Sequence, residues 1–245
     1  MPTLQRCTRR FASAQCLDGQ VRAMIAWLAP GDPPDSFPPV ARALRDPPGL
    51  LAAGGDLSSE RLLAAYQRGI FPWYSPGQPV LWWSPEPREV LFPKEFHCSR
   101  SLARTLRNGG FECSIDQDFA AVIDACAAPR THSPGTWITP QMRSAYCLLH
   151  AHGAAHSLEV RRDGRLVGGV YGVRIGRVFC GESMFSHEAD ASKAALEALV
   201  RMSLADGTAL IDCQMPSPHL RSLGSRPIPR SEFLGYLDPA GAAQP

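Results

Sequence analysis

The clearest alternation of apolar and polar positions falls in the last third of the chain. His156 to Val160 alternates with a period of two, Asp163-Gly164 is a hairpin turn, and Leu166 to Val173 continues as a second strand. Gly176 turns the chain into a third strand, Arg177 to Ser183. A helix follows from about Asp190 to Asp206, with Ala194, Leu196, Leu199 and Val200 on its apolar face and Gly207 as its stop. A strand over 209–214 comes next, and a helical crossover predicts that it runs parallel to its neighbour. Two of these strands carry an acid in apolar company. Glu182 stands in Val178-Phe179-Cys180-Gly181-Glu182-Ser183-Met184-Phe185-Ser186, and Asp212 in Ala209-Leu210-Ile211-Asp212-Cys213-Gln214. A buried charge is costly unless it has a partner, so the two strands predict a site.

The pattern upstream is less regular. Pro30 to Pro48 is held extended by its prolines. A helix then starts at Ser58 or Ser59, with Leu62, Leu63, Tyr66 and Ile70 as its apolar stripe and Gly69 as its stop. Gly69 to Gly77 and Val80 to Pro85 form an aromatic, proline-rich stretch. Core packing is expected for Trp82 and Trp83, while Trp73 fits packing and ligand stacking equally well. Residues 99–108 predict a short helix stopped by Gly109-Gly110. Its Arg100, Arg104 and Arg107 share one face, and Leu102 and Leu106 hold down the other. With no acid one turn away, the three guanidinium groups suit phosphate oxygens, the alternative being a solvated face. A helix is expected from about Asp116 to Ala127. Another starts with Thr139 as N-cap and Pro140 in its first turn, buries Met142, Tyr146 and Leu149, and ends at Gly153. Trp137, just before that cap, can face a ligand or the core.

Composition narrows the classes. The chain has 245 residues, enough for one large domain or two modest ones, and a formal charge of +2, so any nucleic-acid surface must be local. None of the eight cysteines forms a CxxC pair, which points to reduced thiols in a cytoplasm. His150, His152 and His156 do not share a helix face and have no further ligand at metal spacing, so no metal is expected. No apolar run approaches the ~20 residues of a membrane span. Residues 1–23 are basic and acid-poor, and are expected to be a mis-called start or a disordered tail without chemistry.

Several motifs together resemble the leucyl/phenylalanyl-tRNA–protein transferase family. They are Gly54-Gly55-Asp56-Leu57, Tyr66-Gln67-Arg68-Gly69-Ile70-Phe71-Pro72-Trp73, Trp82-Trp83-Ser84-Pro85, Gly135-Thr136-Trp137-Ile138-Thr139, Gly181-Glu182-Ser183-Met184-Phe185-Ser186, Ala191-Ser192-Lys193 and Ile211-Asp212-Cys213-Gln214. They follow the family's order over roughly Phe37 to Leu237. The resemblance implies an α+β fold, with a small N-terminal domain (24–95) and an acyltransferase-like (GNAT-like) mixed sheet with flanking helices (96–245). It implies transfer of leucine or phenylalanine, with methionine as a further candidate, from aminoacyl-tRNA to proteins beginning with arginine or lysine. Such transfer marks acceptors for N-end rule degradation in a bacterial cytoplasm. No metal or other cofactor is implied, no membrane partner, and a monomer is expected.

By the same resemblance Trp73, Trp137 and Tyr146 stack on the 3′-terminal adenosine, and Arg100, Arg104 and Arg107 bind the tRNA. Val170, Phe179, Met184, Leu196 and Ile211 line the aminoacyl pocket, and Glu182, Asp212 and Gln214 do the chemistry. Val170 stands where a familiar version of the pocket has methionine, a change of shape expected to alter the Leu-versus-Phe preference. Asp212 and Gln214, two apart on a strand, are expected to share a face. Aminolysis of an ester needs positioning and polar stabilisation rather than a covalent nucleophile. The roles left open are which group takes the proton and which acid holds the acceptor's basic side chain. One rival is an acyl-CoA-dependent N-acetyltransferase, but Ser186 to Lys193 offers two acids and no glycine to a pyrophosphate. The other is a non-catalytic RNA-binding module, which leaves Glu182 and Asp212 without a role.

Overall fold

A computed structural model describes Val21, residues 24–129 and residues 136–238. The expectation for residues 1–23 therefore lies outside the described residues, Val21 apart. Two sheets organise the chain. The first is four-stranded, in the order β1-β2-β4-β3, from β1 (Ala26–Leu28), β2 (Leu50–Gly54), β3 (Phe71–Pro72) and β4 (Leu81–Trp83). Helix α1 (Ser59–Tyr66) links β2 to β3, and Ser58 caps it by accepting the Arg61 N–H at 3.4 Å. The helix stops one turn short of Ile70, because Gly69 enters the left-handed region at φ 70° and Ile70 is buried beyond it. Trp82 and Trp83 are core residues, and the Trp82 indole N–H donates to the Gly54 carbonyl at 2.9 Å.

The second sheet has seven strands in the order β11-β5-β10-β9-β8-β7-β6. They are β5 (Arg88–Leu91), β6 (Glu112–Ile115), β7 (Ala155–Arg162), β8 (Arg165–Ile175), β9 (Val178–Ser186), β10 (Leu210–Gln214) and β11 (Arg226–Ile228). β10 pairs parallel with β9, and the sheet's other pairings are antiparallel, so it is mixed. Asp163 and Gly164 both take positive φ (50° and 73°), as a tight hairpin requires. Helices α2 (Arg100–Asn108), α3 (Phe119–Ala127), α4 (Pro140–Ala151), α5 (Ala191–Asp206), α6 (Pro218–Arg221) and α7 (Arg230–Leu237) complete the fold. Thr139 caps α4 by accepting the Met142 N–H at 3.2 Å. Among the described residues no helix is long and apolar enough to cross a membrane.

β5 belongs to the large sheet, inserted between β10 and β11, so the chain passes from one sheet to the other between Trp83 and Arg88. Charge hides this strand: Arg88 and Glu89 are both 1% exposed, which breaks the alternation expected of a strand. The core is continuous across that passage. One apolar cluster joins Tyr66, Ile70 and Trp82 to Tyr146, Tyr171 and Cys180, while a second lies under α5.

Candidate functional site

The parallel ladder between β9 and β10 runs from Val178↔Leu210 to Cys180↔Asp212 and stops. Beyond it β9 keeps only its pairing with β8, whereas Gln214 pairs with Glu89 of β5. Each diverging strand is irregular where it leaves the other. The β8–β9 register shifts across Glu182, between Gly172↔Gly181 and Tyr171↔Ser183, and the β10–β5 register shifts between Asp212 and Gln214. Irregularities of this kind re-aim side chains. Gln214 lies at φ 56°, a left-handed conformation that costs a non-glycine residue on the order of 1–3 kcal/mol unless the surroundings hold it. The simple two-residue alternation expected for Asp212 and Gln214 therefore does not describe them, and each engages its own partner.

Gln214 meets Glu182. Its Nε2 donates to Glu182 Oε1 at 2.9 Å, and the Tyr146 hydroxyl donates to Oε2 at 2.9 Å. Tyr146, its proton committed, receives the Tyr66 hydroxyl at 2.5 Å. These contacts tie α1 of the first sheet and α4 of the second to one carboxylate. Glu182 keeps some open surface, yet the groups crowding it disfavour charge, and burial pushes its carboxyl up to about 7. The two tyrosine hydrogen bonds oppose that rise and Asp212 adds to it. Burial, with Glu182 nearby, holds the phenols of Tyr66 and Tyr146 well above their ordinary range, so they remain donors. Burial and then Asp212 likewise raise the Cys180 and Cys213 thiols, which stay protonated and are unsuited to nucleophilic attack.

Asp212, fully buried, is bound to Arg88, which is 1% exposed. Arg88 donates from Nε to Oδ1 at 2.7 Å and from Nη2 to Oδ2 at 2.6 Å, a bidentate fork. Its Nη1 donates to the Gly69 carbonyl at 3.1 Å, and its guanidinium lies 4.9 Å from the Phe71 ring and 4.6 Å from the Phe233 ring. Gly69 is glycine for two reasons: its positive φ, and a Cβ there would stand 2.8 Å from Leu234 Cδ2. Asp212 Oδ1 also accepts the Gln214 N–H at 2.9 Å. Burial works against the charge on Arg88, but Asp212 more than offsets it and the guanidinium stays protonated.

The expected pocket residues come together. Val170 faces Met184 across β8–β9 and Phe179 faces Ile211 across β9–β10. All four pack with Leu196 in the apolar cluster under α5. Trp73 and Trp137 are half-buried at the edge of the other cluster. Trp73 meets Trp83 edge-on at 5.5 Å, and the Tyr74 hydroxyl bonds Thr139 Oγ1 at 3.1 Å, which links the two tryptophan loops. Tyr146, expected beside them as a stacking ring, has no exposed surface and serves Glu182 instead. Arg100, Arg104 and Arg107 are exposed and make no ion pair among the described residues, while Leu102 is buried. Sequence reasoning missed Arg88 and the Tyr66–Tyr146 pair. The pointer to Arg88 was the demand of a buried Asp212 for a cation.

A family model described as leucyl/phenylalanyl-tRNA protein transferase matches residues 90–238, and its N-terminal domain matches residues 55–86. The chain is 58% identical over 225 residues to a leucyl/phenylalanyl-tRNA–protein transferase of Pseudomonas entomophila, covering 90% of this chain and 99% of that one. It is 61% identical over 202 residues to one of Azotobacter vinelandii, covering 82% and 89%. Among solved structures, a ribosomal-protein-alanine N-acetyltransferase from Brucella melitensis aligns over 46% of this chain and 84% of its own, at 18% identity and a TM-score of 0.33.

Proposed function

This chain belongs to the leucyl/phenylalanyl-tRNA–protein transferase family, and from that premise we propose where and how it transfers an aminoacyl group from tRNA to protein. The observation that carries the reading is the Glu182–Gln214 hydrogen bond at the parting of β9 and β10, beside a closed set of apolar side chains. The leucyl or phenylalanyl side chain enters the wall formed by Val170, Phe179, Met184, Leu196 and Ile211. Ionised Glu182 holds the free α-ammonium of the aminoacyl group. An apolar wall separates side chains by only ~1–3 kcal/mol per methylene, so one pocket accepts both residues.

The reaction forms a C–N bond from the acceptor's α-amine to the ester carbonyl and breaks the bond to the ribose oxygen, which leaves with a proton. A carboxylate can only accept, so Gln214 turns its Nε2 to Glu182 and leaves its Oε1 free to accept an N–H of the attacking amine. Gln214 thus orients the amine and aligns its lone pair on the carbonyl. Asp212, occupied by Arg88, acts through Gln214 rather than as a base. Trp73 and Trp137 offer their half-buried rings to the terminal adenosine, and the α2 arginines hold the tRNA backbone. We take the acceptors to be proteins beginning with arginine or lysine, the setting to be the cytoplasm, and the enzyme to act as a monomer.

The deciding experiment is transfer of radiolabelled leucine and phenylalanine from charged tRNA to a protein beginning with arginine, beside a control beginning with alanine. Label on the arginine substrate alone is expected. No transfer, with acetyl-CoA consumed instead, would overturn the reading. A second outcome concerns α2: Arg104→Glu should weaken aminoacyl-tRNA binding and lower the slope of log K against log salt by about 1–2. Turnover at saturating tRNA should not change, and an unaltered slope would remove α2 from the tRNA surface.

A further inference from the structure

Gln214 is unusual in two linked ways: it sits in a left-handed backbone conformation, and its side-chain amide donates to the Glu182 carboxylate. A strand residue relaxes to an extended conformation unless something holds it. Here the holding contact is Asp212 Oδ1 on the Gln214 N–H, and that oxygen is itself fixed by Arg88 Nε. Arg88 has no rotational freedom left: its second fork arm takes Asp212 Oδ2, its third nitrogen takes the Gly69 carbonyl, and Phe71 and Phe233 lie against it. The chain of contacts runs from a glycine of the first sheet's aromatic stretch, through a guanidinium and a carboxylate, to the backbone of Gln214.

We propose that Arg88 is a positioning residue for aminoacyl transfer, acting through Asp212 to keep the Gln214 backbone in the conformation that presents its amide to Glu182 and to the acceptor amine. This rests on the reading of Glu182 and Gln214 as the reaction site. Two physical points favour it over a purely architectural ion pair. Stability alone does not demand the pair, because buried ion pairs replaced by apolar residues of similar volume often leave folds about as stable. The arginine fork is also the only side chain that can hold both carboxylate oxygens in one plane while a third N–H reaches Gly69; a lysine keeps the charge and loses that geometry.

The test is a cycle on Arg88→Lys and Gln214→Ala, read as kcat and KM for aminoacyl transfer, with a thermal melt for each variant. Arg88→Lys should lower kcat about 10–100-fold, the scale of a slight misplacement of a reacting group, with KM for the aminoacyl-tRNA within about twofold. In the Gln214→Ala background, where no amide remains to be positioned, the same change should cost less than about threefold in kcat. An equal loss in both backgrounds would make Arg88 architectural and overturn the proposal, as would undiminished kcat in folded Arg88→Lys. Wild-type kcat in Gln214→Ala alone would instead refute the site reading beneath it. Should Arg88→Lys fail to fold, Asp212→Asn takes its place in the cycle, since it keeps the shape and the Oδ1 acceptor while weakening the fork. The same coupling with Gln214→Ala is expected, and additivity would again count against the proposal.

Discussion

Asp212→Ala should lose about 3–5 kcal/mol of folding stability, the cost of stranding one member of a buried ion pair. Arg88 is 1% exposed and its charge cannot reach water, so removing the carboxylate leaves two fork donors without acceptors in an apolar site. Replacing both partners, as Arg88→Met with Asp212→Leu, should recover most of the loss, because no charge then remains to be solvated. Urea unfolding of the wild type, the single variant and the double variant at pH 7 measures this directly. A single variant as stable as wild type would mean that the guanidinium finds water or another anion. The magnitude also bears on activity: lost transfer in Asp212→Ala mixes unfolding with misplacement of Gln214, so it is weak evidence for a chemical role of the carboxylate.

Glu182→Gln should lower transfer about 100-fold at pH 8 and change its pH dependence. Burial raises the wild-type carboxyl from 4.5 to about 7. Below that pH the group is neutral and cannot hold an ammonium, so wild-type transfer should climb as pH rises through about 7. The acceptor's α-amine, with an ordinary pKa of about 7.7–8, adds a second rise just above it. The variant should keep only that second rise. Stability should move the opposite way. A carboxyl whose folded pKa exceeds its unfolded value favours the fold at low pH, and that contribution is lost as pH climbs from 4.5 to about 7. The folding free energy of Glu182→Gln should therefore gain on wild type between pH 5 and pH 8, by an amount on the order of 2 kcal/mol for a partly open group, read by urea unfolding at each pH. Identical pH profiles for the two proteins in both assays would show that Glu182 ionises as an ordinary surface acid.

Much of the architecture could be read along the chain because it is made by neighbours in sequence. Ser58, Thr139 and Gly207 act within one helical turn, Asp163-Gly164 closes its own hairpin, and the crossover through α5 dictates a parallel β10. The same local logic marked Glu182 and Asp212 as acids needing partners, and the motifs around them carried the family resemblance that the comparisons bear out.

The partners themselves needed the folded chain. Arg88 is 124 positions from Asp212 and Tyr66 is 80 from Tyr146, and no local periodicity encodes a contact at that range. β5 escaped notice because its two charges are satisfied across the sheet rather than in water: Arg88 by Asp212, and Glu89 by Arg221 and Ser225. Only strand pairing shows that residues 88–91 complete the large sheet. Tyr146 was rightly read as a buried helix position, yet whether its hydroxyl or its ring does the work depended on what lay opposite. Sequence spacing sets which way a side chain leaves the backbone; the tertiary structure alone decides what it meets, and at this site the meeting of Glu182, Gln214, Asp212 and Arg88 carries the proposed chemistry.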